Sequence, residues 1–191
     1  MSDKTVDSIS MVGGWVFVLP IEDKDTYGNI IVPDTAKEVT QKGTVVAVAE
    51  TKNIKRGDVI LFRRRATFKT IELDGVMHNV MQKAEILGVM FGENAWDVAA
   101  LNTNVFLEWE QALAFYPGTD FIKPDAFRQM HFTGTILAAG PDCTEVATGD
   151  RVFFDQFAGV ERFMDAGRRF AFVRQDDIYC RNLPKRTEVT A

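Results

Sequence analysis

GTVVAVA at residues 43–49 and GTILAAG at residues 134–140 are one pattern written twice. Each opens on Gly-Thr and continues through small and β-branched residues, the composition of a strand that packs one face into a core. Outward from this pair, IIVPD (30–34) returns as FIKPD (121–125), and both pairs are shifted by 91 positions. RGDVILF, ending at Phe62, returns as TGDRVFF, ending at Phe154; QKAEIL (82–87) returns as RQDDIY (174–179). These two pairs are shifted by 92. A register this steady over about 70 residues reads as two copies of one domain.

The segments between the repeated stretches have the same character. WVFVL (15–19), DVILF (58–62), TIEL (70–73), VMHNVM (76–81) and ILGVMF (86–91) are short runs rich in Val, Ile and Phe. Turn residues separate them: Lys55-Arg56-Gly57-Asp58, and Asp74-Gly75, a pair suited to the primed turn of a tight hairpin. Even strand spacing with little helix predicts an all-β chain of small barrels or sandwiches. The first domain is expected over 11–91 and the second over 102–184. The joint at 92–101 reads as a linker in which Asn94 caps one short helical turn.

Composition bounds the function. The chain has 191 residues, enough for two small cores. Its net charge of −5 argues against a nucleic-acid surface. The polar start MSDKTVDSIS is not the basic-then-apolar pattern of a secretory signal, and no apolar run approaches the length of a membrane span. Cys143 and Cys180 share no short motif, so reduced thiols in a cytoplasmic setting are expected.

One stretch does not fit a plain barrel. GNIIVPDTAKEVTQKG (28–43) places Ile30, Ile31 and Val32 between Gly28-Asn29 and Pro33-Asp34, followed by a polar tail without apolar period. Periodicity leaves two readings open. The tripeptide is a short buried strand of the domain, or it is a loop whose aliphatic side chains await a partner, since exposed they are a liability. Gly28 and Asn29 permit the turn that presents it, and Pro33 stiffens the exit.

In this order the residues resemble the GroES-type co-chaperonin family. IIVPDTAKE, GTVVAVAE, GDVILF, and ELDG followed by EILGVM carry the resemblance through the first copy. GTILAAG, GDRVFF, FAG (157–159) and RQDDI carry it through the more diverged second. The resemblance implies two tandem GroES-like small β-barrels, an arrangement also seen in chloroplast relatives. It implies a ring-shaped oligomer of this chain that caps an ATP-bound GroEL-type chaperonin and closes a chamber in which an unfolded client protein folds. The chain itself would bind no cofactor, ATP being bound and hydrolysed by the chaperonin. By the same resemblance, a mobile loop at about 22–42 would dock through Gly28, Ile30, Ile31 and Val32. A second loop at about 112–133 would use Phe121 and Ile122, with Lys123 standing where the first copy has Val32. That loop is also rich in aromatics (Phe115, Tyr116, Phe127, Phe132), which equally fit packing onto its own domain.

The pattern departs from many family members in one respect. The stretches ETKNIKR (50–56) and PDCTEVAT (141–148) are too short for the hairpins that roof the dome, so an open or thin roof is expected. A relative without the roof is known among bacteriophages, which makes a viral origin an analogy and host cytoplasm the setting in that case. The alternative function is a structural or adaptor protein, for example viral, built on the same barrels without chaperonin binding.

Catalytic signatures are lacking. There is no phosphate-binding G-x-x-x-x-G-K-[ST], no G-x-S-x-G, and no G-x-G-x-x-G with Cys/His zinc ligands such as barrel-bearing dehydrogenases need, so no enzyme is expected. His78 and His131 stand alone, in different copies, without metal-ligand spacing. Arg63-Arg64-Arg65, without interleaved aromatics, and Asp176-Asp177, just before a strand, read as solvated turns rather than as a nucleic-acid patch or a catalytic pair.

Overall fold

The computed structural model describes residues 9–21, 26–27, 30–31, 42–49, 51–64, 66–92, 94, 96–110, 131–155, 161–165 and 167–181. The chain divides into two compact units, Met1–Glu93 and Asn94–Ala191. The described residues form strands, turns and two single 3-10 turns, with no α-helix among them.

The first unit contains β1 (Trp15–Pro20), β2 (Thr26–Tyr27), β3 (Ile30–Ile31), β4 (Lys42–Val48), β5 (Val59–Phe62), β6 (Phe68–Leu73), β7 (Val76–Gln82) and β8 (Ile86–Met90). Its main sheet runs β6-β7-β1-β4-β5-β8, while among the described residues β2 and β3 pair only with each other. Strand β4 alternates strictly, with Gly43, Val45 and Ala47 buried and their neighbours half-buried, as expected for a strand with one face on the core. Val16, Phe17, Val18, Ile60, Phe62, Met81 and Ile86 complete that core.

The second unit contains β9 (Val98–Ala100), β10 (Asn104–Glu110), β11 (His131–Ala139), β12 (Arg151–Asp155), β13 (Glu161–Asp165), β14 (Arg168–Arg174) and β15 (Ile178–Arg181). Its sheet runs β13-β14-β10-β11-β12-β15. Val105, Leu107, Ile136, Val146, Val152, Phe154, Ala171 and Val173 form its core.

The repeat extends to the irregularities of the backbone. The β1–β4 ladder slips between Phe17 and Val18, and the β10–β11 ladder slips between Phe106 and Leu107. The β5–β8 ladder slips between Leu61 and Phe62, and β12–β15 between Phe153 and Phe154. A bulge adds local twist and bends its strand, so matching bulges curl the two sheets alike.

The Gly-Asp motif before β5 and β12 builds the same turn twice. Gly57 and Gly149 take φ of 90° and 93°, a region that favours glycine. Their amides donate to Val45 and Ile136 carbonyls, each at 2.8 Å. The carboxylate of Asp58 accepts from the Lys55 amide at 2.7 Å, and that of Asp150 from the Ala147 amide at 3.0 Å. The hairpin between β6 and β7 turns at Asp74 (φ 53°) and Gly75 (φ 74°), the paired positive φ of a type I′ turn.

Three expectations are corrected. The units are curled open sheets rather than closed barrels: among the described residues no pairing joins the outer strands, and β6 is exposed from Phe68 through Glu72. Bulges supply curvature, but closure also requires a ladder partner at each edge. The stretch 92–101 is not a plain linker, because it holds β9, and Val98, Ala100 and Leu101 are buried. Asn94 caps no helix among the described residues; its side-chain and backbone N–H groups donate to the Asp97 carboxylate at 2.8 and 3.3 Å.

Candidate functional site

The first loop leaves the sheet where β1 ends and returns where β4 begins. Pro20 faces Gly43 in the ladder, and the Ile21 amide donates to the Lys42 carbonyl at 3.0 Å. Lys42, expected at the loop's end, is already the first residue of β4. Gly43 is required by close approach: a Cβ there would meet the Leu19 carbonyl oxygen at 2.9 Å and the Val18 side chain.

Beyond this base, Thr26 pairs with Ile31 and Tyr27 with Ile30 as two-residue antiparallel strands. Gly28-Asn29 is the two-residue connection in sequence, the length and composition of a tight hairpin. Ile30 and Ile31 therefore belong to a local hairpin and not to the unit's main sheet. The partner strand Thr26–Tyr27 was not visible to sequence reading; two residues carry no periodicity. Gly28, Val32, Phe121 and Ile122 lie outside the described residues. So does most of the second loop, whose expected end at 131–133 instead opens β11.

The second loop leaves from the equivalent base. Trp109 faces Gly134, and Glu110 faces Thr133. A Cβ on Gly134 would meet the Glu108 carbonyl oxygen at 2.8 Å. Charged side chains cross this sheet. Arg168 holds Glu108 through two hydrogen bonds, Nε to Oε1 at 2.8 Å and Nη2 to Oε2 at 2.7 Å. Its guanidinium lies 4.6 Å from the centre of the Trp96 ring. The hydrogen bonds from Arg168 hold the Glu108 carboxyl below its ordinary range, against the opposing effect of burial, and Glu108 in turn raises Arg168. Arg151 pairs with Glu110 at 2.7 Å.

No group of three His, Cys, Asp or Glu able to hold a metal occurs among the described residues. His78 is buried, stacks on Phe17 at 4.7 Å, and has Nδ1 3.0 Å from the Val76 carbonyl; it is a core residue. Cys143 and Cys180 are free thiols, and burial pushes the Cys143 thiol up. Asp176 and Asp177 sit in the 3-10 turn Gln175–Asp177 before β15.

The model of the chaperonin 10 Kd subunit family matches residues 8–90. The co-chaperonin GroES of Thermodesulfovibrio yellowstonii is 46% identical over 70 residues, covering 36% of this chain and 78% of that protein. The chain belongs to the GroES-type co-chaperonin family. A second GroES-type co-chaperonin, from Neorickettsia sennetsu, is 36% identical over 95 residues, 44% of this chain and 96% of its own length. The chloroplastic 20 kDa chaperonin of Arabidopsis thaliana is 26% identical over 190 residues, 90% of this chain and 74% of that protein. Both GroES relatives match less than half of this chain, whereas the chloroplastic relative spans nearly all of it, in keeping with two tandem GroES-like domains. No helix among the described residues is long and apolar enough to cross a membrane.

Proposed function

We propose that this chain assembles into a ring that caps a GroEL-type chaperonin and closes its chamber over an unfolded client protein, in the cytoplasm. The observation that carries this reading is the Ile30–Ile31 hairpin, which stands apart from the main sheet on a GroES-type unit. Ile30, Ile31 and Val32 enter an apolar groove on the chaperonin, with Gly28 giving the turn. Burying three aliphatic side chains stabilises the contact by roughly 1.5–3 kcal/mol each. Ordering the loop costs about 1–2 kcal/mol per residue, so one loop binds weakly. A ring raises the effective concentration of every further loop, and avidity then makes a lid from weak, releasable contacts. Phe121 and Ile122 of the second loop add a lesser contact.

The chain performs no chemistry in this account and needs no cofactor; the chaperonin binds and hydrolyses ATP. The connections that would carry roof hairpins hold no strand over 51–58 or 140–150, which supports a dome with an open roof. The test is co-elution with a double-ring chaperonin on a sizing column, with and without ATP or ADP. Nucleotide-dependent co-elution is expected; elution apart under every nucleotide condition, including with the native host's chaperonin, would overturn the reading.

A further inference from the structure

The bases of the two loops occupy equivalent places but are built differently. In the second unit, Trp109 meets Phe132 edge-on at 5.0 Å, and Phe132 stacks on Phe154 at 6.0 Å. Arg169 lies over the first ring of this set, 5.2 Å from the centre of Trp109. Glu110, the next residue, is tied to Arg151 at 2.7 Å, and the Arg151 side chain is only 14% exposed. These groups join both strands of the loop base, β10 and β11, to the two strands that flank them, β14 and β12.

The ladders give the first-unit counterparts. Trp109 faces Gly134 as Pro20 faces Gly43, and Arg151 faces Thr135 as Val59 faces Thr44. Glu110 corresponds to Ile21, and the 92-residue shift brings Arg169 onto Met77. Apart from Phe154, matched by Phe62, none of these first-unit residues can make the same aromatic or ionic contact. Among the described residues, the first base shows the backbone hydrogen bond from Ile21 to Lys42 and the close approach at Gly43.

We propose that Trp109, Phe132 and the Glu110–Arg151 pair form a clamp that fixes the base of the second loop, whereas the base of the first loop opens more readily. The clamp residues are positioning residues: they set the direction in which the second loop leaves the sheet. Aromatic pairs and a half-buried ion pair both resist local opening of the strand ends they join. The functional consequence rests on the chaperonin-docking reading: the first loop is then the adaptable contact and the second a contact of fixed direction. The clamp itself does not depend on that reading.

Hydrogen exchange on the full chain without chaperonin tests it. Backbone amides at 108–110 and 131–133 are expected to exchange about tenfold more slowly than those at 19, 21 and 42–44. The variant carrying Glu110→Gln and Phe132→Leu should accelerate exchange at the second base about tenfold and leave the first unchanged. If that pair fails to fold, Glu110→Gln alone, at the exposed end of the clamp, should give a smaller acceleration at the same place. Equal exchange at the two bases of the unaltered protein, or variants that leave the second base unchanged, would overturn the proposal. Loss of chaperonin binding with the exchange contrast intact would instead overturn only the docking reading.

Discussion

Gly43 and Gly134 hold the same position in the two units: an added methyl group would sit 2.9 Å from the Leu19 carbonyl oxygen in one and 2.8 Å from the Glu108 carbonyl oxygen in the other. Both distances are below contact, these two obstacles are backbone, and the Val18 and Leu107 side chains crowd the same places. Gly43→Ala and Gly134→Ala should therefore each destabilise the fold by about 1–3 kcal/mol, the usual cost of overpacking. Thermal melting of the two variants checks this; an unchanged melting temperature for either would show that the strands separate freely there.

The Gly-Asp turns make a second expectation. Asp58 and Asp150 each accept a backbone amide three residues earlier, at 2.7 and 3.0 Å. Asp58→Ala and Asp150→Ala should each cost about 1 kcal/mol, the scale of a local hydrogen bond to a charged acceptor in an exposed turn. Urea unfolding should give the two variants similar losses, because the turns are the same.

Stability should also depend on pH through Glu108. Hydrogen bonds from Arg168 lower its folded-state pKa below the ordinary 4.5. A lowered carboxylate contributes stability above the unfolded-state value and loses it as pH falls through the folded one. The pair is about one-third exposed on each side, so its contribution is discounted for solvent screening to about 0.5 kcal/mol. Glu108→Gln should be less stable than the unaltered protein at pH 7 by roughly that amount, and the gap should close as pH falls below 4.5. Melting curves at several pH values provide the measurement.

The thiols should differ in reactivity. Cys180 is exposed, whereas Cys143 is half-buried, its Sγ 3.7 Å from the Asn104 carbonyl and its pKa raised by burial. Thiolate is the reactive form. Alkylation at pH 8 should label Cys180 first and Cys143 at least about tenfold more slowly; equal rates would contradict the burial of Cys143.

Much of this architecture was legible in the sequence because it rests on local rules. Gly57-Asp58 and Asp74-Gly75 state their turns in two letters, since each needs a positive φ. The repeat from Gly43 to Gly134 marks a steric requirement that no other residue meets. What the sequence could not display is pairing over distance. Arg168 and Glu108 stand 60 positions apart, and Arg151 and Glu110 stand 41 apart; nothing in the neighbourhood of either residue names its partner. The short strand β9 was missed because three residues between turns carry no period. Open edges were missed for a related reason: strand composition reports burial of a face, not whether the last strand meets the first. At the candidate site, Ile30-Ile31 stood out by being apolar in a polar stretch, while its pairing with Thr26-Tyr27 had no sequence signal.

The central claim is that the aliphatic tripeptide of the first loop binds a chaperonin. The most direct measurement is the affinity of Ile31→Asp for a double-ring chaperonin with ATP or ADP, beside the unaltered protein and a variant lacking Phe121 and Ile122. A buried charge in an apolar groove is costly in every loop of a ring, and avidity multiplies the loss. The account predicts that Ile31→Asp abolishes detectable binding with melting temperature unchanged, and that removing Phe121 and Ile122 weakens it less. Undiminished binding by a folded Ile31→Asp protein would contradict the account.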